Sequence, residues 1–227
     1  MEGKKNRRAY IKFRFVSRGR LREFRENYEG VDEELLLFGF DGMGEVSYEK
    51  ELKNESDEFA QIALLTKSSK GVAVCGCTTD TRGLKRKSAV VAENGKLIGV
   101  SDTLHAVDGE VSAGAALRVY ETKLGKMGLV VAEDLFFPEV MQALSLCGSD
   151  FIVCVFGPAV DGLTQAILRS YAYLYGVPVF FCGVGYSMIA DMGGSIAFSS
   201  PKSPVTAEFE NVKEYHLVET RRRGFMR

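Results

Sequence analysis

The run Gly128-Leu129-Val130-Val131-Ala132-Glu133-Asp134-Leu135-Phe136-Phe137-Pro138-Glu139 carries the chain from one kind of element to another. Its opening is apolar, Glu133-Asp134 interrupts, and Pro138 follows. Proline suits the first turn of a helix, where its missing N–H has no partner to lose. That helix is expected to bury Val140, Leu144 and Cys147, with Gly148 as its stop. Upstream, Leu117 to Tyr120 and Lys126 to Val131 read as a hairpin. Strand, turn and helix in succession is the unit of a layered α/β fold.

The same alternation runs outward in both directions. Ile11, Phe13 and Phe15 alternate with Lys12 and Arg14, the period of a half-buried strand. Leu21, Phe24 and Tyr28 recur at helical spacing. Glu34 to Phe40 reads as a buried strand and Ser56 to Ser69 as a helix with Phe59, Ile62 and Ala63 inward. Gly71 to Cys77 is a further strand. Lys87 to Ala92 and Lys96 to Val100 flank Asn94-Gly95, the dipeptide of a tight hairpin. Downstream, Asp150 to Phe156 and Val177 to Cys182 are strands around a helix from Leu163 to Tyr175, which Gly176 stops. Ser195 to Ser199 and a last extended piece near Glu214 to Glu219 complete the order.

The composition is that of an ordinary soluble domain: 46% hydrophobic, 26% charged, in 227 residues. A net charge of -1 gives no global reason to expect nucleic acid or an anionic membrane as a partner. The basic residues do cluster at the termini, ten of them between positions 4 and 25 and a closing run from Arg221 to Arg227. No apolar stretch reaches the ~18 residues of a membrane span, and no signal-type leader is visible. Five cysteines without framework spacing point to a reduced, cytoplasmic setting.

Six segments in order resemble the nitrilase, or carbon–nitrogen hydrolase, superfamily. Gly114 through Glu139 carries the likeness best. Around it stand Leu35 to Phe40, Lys87 to Gly99, Gly99 to His105, Gly148 to Val153 and Gly193-Gly194-Ser195. The resemblance implies a four-layer α-β-β-α sandwich, one nitrilase-like domain over residues 1–227, and a homodimer packed through its helices. It also implies cleavage of nitriles, amides or carbamoyl groups by a cysteine nucleophile, a glutamate base and a lysine that stabilises the oxyanion.

Carried over by position, the glutamate falls on Phe40, the lysine on Thr103 and the cysteine on Ala132. A methyl group can neither attack a carbonyl nor hold an acyl group. Replacement of the cysteine alone is an ordinary way of trapping substrate, but Phe40 and Thr103 do not fit that story. The family helix resembling Arg169 to Gly176 often carries Arg, Glu and Asn, where this chain has Tyr171, Leu174 and Tyr175. His105, Asp134 and Glu139 match retained family positions and read as structural hydrogen-bonding groups.

The expected role is therefore non-catalytic: a binding or scaffold protein, with Phe40, Thr103, His105, Ala132 and Glu133 lining a vestigial pocket for a small ligand. The alternative is an amidase-type hydrolase using displaced groups, with Glu133, Cys154 and Cys75 as candidates. A third reading makes the basic termini a nucleic-acid surface. No cofactor is called for. Cys75 and Cys77, even with His105, lack the second pair that a structural zinc site needs. Neither Gly183-Val184-Gly185 nor Gly193-Gly194 makes a phosphate-binding pattern. Phe136-Phe137 and Tyr171, Tyr173 and Tyr175 are candidates for a subunit interface.

Overall fold

The computed structural model describes residues 10–28, 32–107 and 109–210. One sheet holds β1 (Tyr10–Val16), β2 (Leu35–Phe38), β3 (Gly44–Ser47), β4 (Val72–Thr81), β5 (Leu84–Glu93), β6 (Lys96–Asp102) and β13 (Val205–Glu210). The other holds β7 (Val119–Thr122), β8 (Gly125–Val131), β9 (Phe151–Val155), β10 (Val179–Gly183), β11 (Tyr186–Ala190) and β12 (Ile196–Ser200). Each sheet has three adjacent parallel strands at its heart, β1-β2-β4 and β8-β9-β10, with antiparallel strands beyond them and the short β3 added in parallel to β4.

Helices α1 (Leu21–Glu26) and α3 (Glu58–Ser69) cover the first sheet, with the short α2 (Tyr48–Leu52) between them in sequence. Helices α4 (Pro138–Leu146) and α5 (Gly162–Tyr175) cover the second. Alternation explains the layering. Leu35 and Leu37 of β2 face the opposite sheet, while Leu36 and Phe38 face the helices. Ile152 and Cys154 of β9 likewise meet helices, while Val153 and Val155 meet the first sheet. Strands buried on both faces must be apolar at every position, hence the unbroken Leu-Leu-Leu-Phe run. The result is the expected α-β-β-α sandwich, and its inter-sheet core is rich in rings: Phe13, Phe15, Phe151 and Phe180.

Local signals place the connections. Asn94 and Gly95 take positive φ between β5 and β6. Pro138 opens α4, and Gly176 caps α5 at φ 62°. The Asp161 carboxylate accepts from the Thr164 N–H at 2.7 Å to start α5. Cys147 is a correction: it follows the last turn of α4 and is exposed, with Met141 buried on the inward face instead. Ala63 is only half-buried, and Leu65 is a fuller contributor to α3. The extended piece near Glu214 to Glu219 lies outside the described residues. No helix among those described is long and apolar enough to cross a membrane.

Candidate functional site

Thr103 and Ala132 follow directly on β6 and β8 and Phe40 lies two residues past β2, and all three are buried, with relative exposures of 0%, 0% and 7%. Loops at the carboxyl ends of parallel strands are where open α/β sheets usually hold ligands. Ala132 begins a 3₁₀ turn, Ala132–Phe136, with φ at +50°. An L residue in that left-handed region costs about 1–2 kcal/mol, a strain that the surrounding packing must offset.

Phe40 belongs to the same apolar cluster as Ala132 and Val155. Its ring rests on Gly157, where an added Cβ would lie 3.3 Å from the ring, and its backbone crosses Gly76 so closely that a Cβ there would meet its Cα at 2.4 Å. Thr103 donates its N–H to the Lys87 carbonyl at 2.8 Å and accepts from the Gly114 N–H at 2.7 Å. Its buried hydroxyl has no hydrogen-bond partner among the described residues.

The register Ser88 opposite Asp102 makes Lys87 and Thr103 the next facing pair across β5 and the end of β6. Directly opposed side chains share a face, so Lys87 projects from beside Thr103. Its ammonium lies 2.6 Å from the Glu133 carboxylate, with side-chain exposures of 19% and 11%. A cation thus reaches the neighbourhood of Ala132 from the strand next to the expected one. Composition and motif alone did not single out Lys87. A two-residue turn at Asn94-Gly95 pairs Ala92 with Leu97, but a bulge at Val91/Ala92 shifts later pairs by one, setting Lys87 against Thr103 instead of Asp102.

Asp134 is 2% exposed and fastens the segment after Thr103. Its carboxylate accepts from the N–H groups of Leu104, at 2.8 Å, and His105, at 2.9 Å, and lies 2.9 Å from His105 Nδ1. The His105 ring stacks on Phe137, centroids 3.6 Å apart, and its Nε2 is 3.8 Å from Glu139. The residues matched to retained family positions therefore come together as a brace across the loops.

The displaced thiols do not join them. Cys75 faces the helix layer over the first sheet and Cys154 the layer over the second. Burial pushes both thiols well up from their ordinary value, which keeps them protonated and unreactive at neutral pH. Among the described residues, Cys75, Cys77 and His105 form no group able to hold a metal. Native-state titration with a chromogenic disulfide reagent is expected to modify one of the five thiols, Cys147, with the rest reacting only in denaturant. Rapid native labelling of Cys75 or Cys154 would contradict this.

The carbon-nitrogen hydrolase family model matches residues 34–208. The Schizosaccharomyces pombe protein described as "Probable nitrilase" is 36% identical over 66 residues, which is 28% of this chain and 24% of that protein. The match thus spans about a quarter of that relative's length. In structure, an amidase of the nitrilase superfamily from Nesterenkonia AN1 superposes with a TM-score of 0.75 at 15% identity, covering 99% of this chain and 98% of that one. Saccharomyces cerevisiae Nit3, a member of branch 10 of the superfamily, superposes at 0.71 with 18% identity, over 95% and 94% of the two chains. The glutamine-dependent NAD+ synthetase of Acinetobacter baumannii does so at 0.72 with 19% identity, over 89% of this chain and 46% of that one.

Proposed function

This chain belongs to the carbon–nitrogen hydrolase family, and from that premise we propose that it keeps the layered scaffold without the chemistry. It acts as a non-catalytic binding or scaffold protein. The observation that carries this reading is Ala132, whose methyl group stands at the tip of a left-handed elbow where a nucleophile would be presented. Phe40 dries the same neighbourhood, and Thr103 offers a hydroxyl in place of an ammonium. Removing groups that act as a unit is not repaired by whichever one remains.

A second copy of this chain is the partner this reading expects. Leu146, Leu163, Tyr173 and Leu174 of α4 and α5 are exposed at 55%, 62%, 45% and 49%, an apolar outer layer suited to homodimer packing. The free cysteines fit a reducing, cytoplasmic setting.

One observation favours the amidase-type alternative. Lys87 and Glu133 put a cation and a carboxylate beside Ala132, an arrangement that could polarise a carbonyl and activate water. Ammonia release decides between the two. The purified protein is to be assayed against aliphatic and aromatic amides, carbamoyl compounds and nitriles, beside an active family member, and sized on a calibrated column. Silence from a folded dimer is the expected result. Turnover that survives repurification and disappears in Glu133→Gln would establish the alternative.

A further inference from the structure

A cleft of about 220 Å³ opens beside Phe40, where β1 and β2 end, with Val16, Ser17, Arg18, Asp41 and Val184 among its walls. Its polar groups are incompletely matched. Ser17 is only 4% exposed, yet its hydroxyl finds no hydrogen-bond partner among the described residues. Buried hydroxyls in folded proteins are nearly always paired, so an unpaired one in the wall of a cleft has capacity for a group that comes from outside.

Arg18 makes the same point with charge. Its backbone is fixed: the N–H donates to Ser203 Oγ at 2.9 Å, and that hydroxyl donates back to the Arg18 carbonyl at 3.0 Å. The Gly185 N–H donates to the Ser17 carbonyl at 3.1 Å, closing the other side. The guanidinium lies against Gly185, where an added Cβ would come within 2.6 Å of it. Glycine is favoured there by a φ of +71°, and its missing side chain leaves the space that the guanidinium occupies. Yet among the described residues the guanidinium forms no ion pair or hydrogen bond, whereas its neighbours are engaged. Arg20 donates to the Asp41 carbonyl at 2.9 Å, and Arg22 pairs with Asp57 and Glu58.

We propose that this cleft binds a small monocarboxylate. The carboxylate takes the planar guanidinium of Arg18, whose fork matches two carboxylate oxygens, and accepts from the Ser17 hydroxyl. A short apolar body lies against Val16, Phe40 and Val184. The volume is below that of a drug-sized pocket, which limits the ligand to a few carbons. Asp41 at the wall disfavours a dianion, because a single cation cannot offset the added like-charge repulsion. Phe40 therefore has two consequences: it fills the position matched to the family's base and forms a wall of this cleft. The proposal does not depend on whether the chain hydrolyses C–N bonds. Ammonia release would overturn the previous reading and leave this one standing, and absent carboxylate binding would do the reverse.

The test is calorimetric titration of the full chain with acetate, butyrate and hexanoate, with butylamine and inorganic phosphate as charge controls. Saturable binding of butyrate or hexanoate, tighter than acetate, is expected. Arg18→Gln should weaken it about tenfold or more, and Ser17→Ala by roughly threefold, as loss of a charge-assisted and of a single hydrogen bond imply. Val184→Trp, which crowds the cleft and leaves Arg18 intact, should abolish it. Arg18 and Val184 are both exposed, so their replacement leaves the core unchanged. The proposal is overturned if the unaltered protein binds none of the carboxylates saturably, if phosphate or butylamine binds as tightly, or if Arg18→Gln or Val184→Trp binds unchanged.

Discussion

Asp134→Ala is expected to lower stability by about 3–5 kcal/mol, the usual cost of removing one member of a buried charged network. The carboxylate is nearly inaccessible and meets the Leu104 and His105 N–H groups and His105 Nδ1 within 2.9 Å. Alanine would orphan those donors, each of which costs about 1–3 kcal/mol if left dry. It would also free the His105 ring from its stack on Phe137. Asp134→Asn, which keeps the shape and one acceptor oxygen, should cost about half as much. Denaturant unfolding gives the magnitude, and amide exchange at Leu104 and His105 gives the location. Full stability in Asp134→Ala, or exchange that speeds up elsewhere and not at those amides, would refute the brace. The point bears on function, because a carboxylate beside the elbow is easily mistaken for a catalyst when its work is to hold a loop.

That brace illustrates what could be read from residues and what could not. Period and punctuation were legible because they are local: Ile11, Phe13 and Phe15 alternate, Asn94-Gly95 turns, Pro138 opens α4, and Gly176 closes α5. Strands apolar on both faces announce sheets covered on both sides, while their arrangement as two stacked sheets was implied by the family resemblance. β3 and β11 escaped notice because Gly44–Ser47 is too short to show a period and Tyr186–Ala190 runs on from a glycine-rich loop. The burial given to Cys147 failed because α4 ends just before it, turning an inward position into a cap. Lys87 escaped for a non-local reason, since one bulged residue decides which side chain it faces. The positive φ of Ala132 is likewise invisible in sequence: nothing about alanine announces a left-handed turn that the surrounding strands and brace impose.

Ala132→Cys is expected to leave ammonia release where it was, ~10⁴–10⁶-fold below an active relative, because a nucleophile without its partners regains little. The new thiol would stand at the elbow, fully buried in a cluster containing Phe40 and Val155. Burial disfavours the thiolate, as it does for Cys154 on the adjacent β9. Lys87, the cation that meets the neighbouring Glu133, is engaged there and comes from β5 instead of position 103. The thiol should therefore stay protonated at neutral pH and resist iodoacetamide in the native state. Adding Thr103→Lys should make it alkylate faster, since a neighbouring ammonium favours the thiolate. Adding Phe40→Glu supplies a base but places a carboxylate in an apolar cluster, at a cost of several kcal/mol. Measured in that order, alkylation and ammonia release separate the three losses. If Ala132→Cys alone releases ammonia, the site still holds a working base and oxyanion donor, and Lys87 with Glu133 would be the pair that supplies them. If only the triple variant does so, the chemistry was lost with all three positions while the scaffold that once presented them stayed in place.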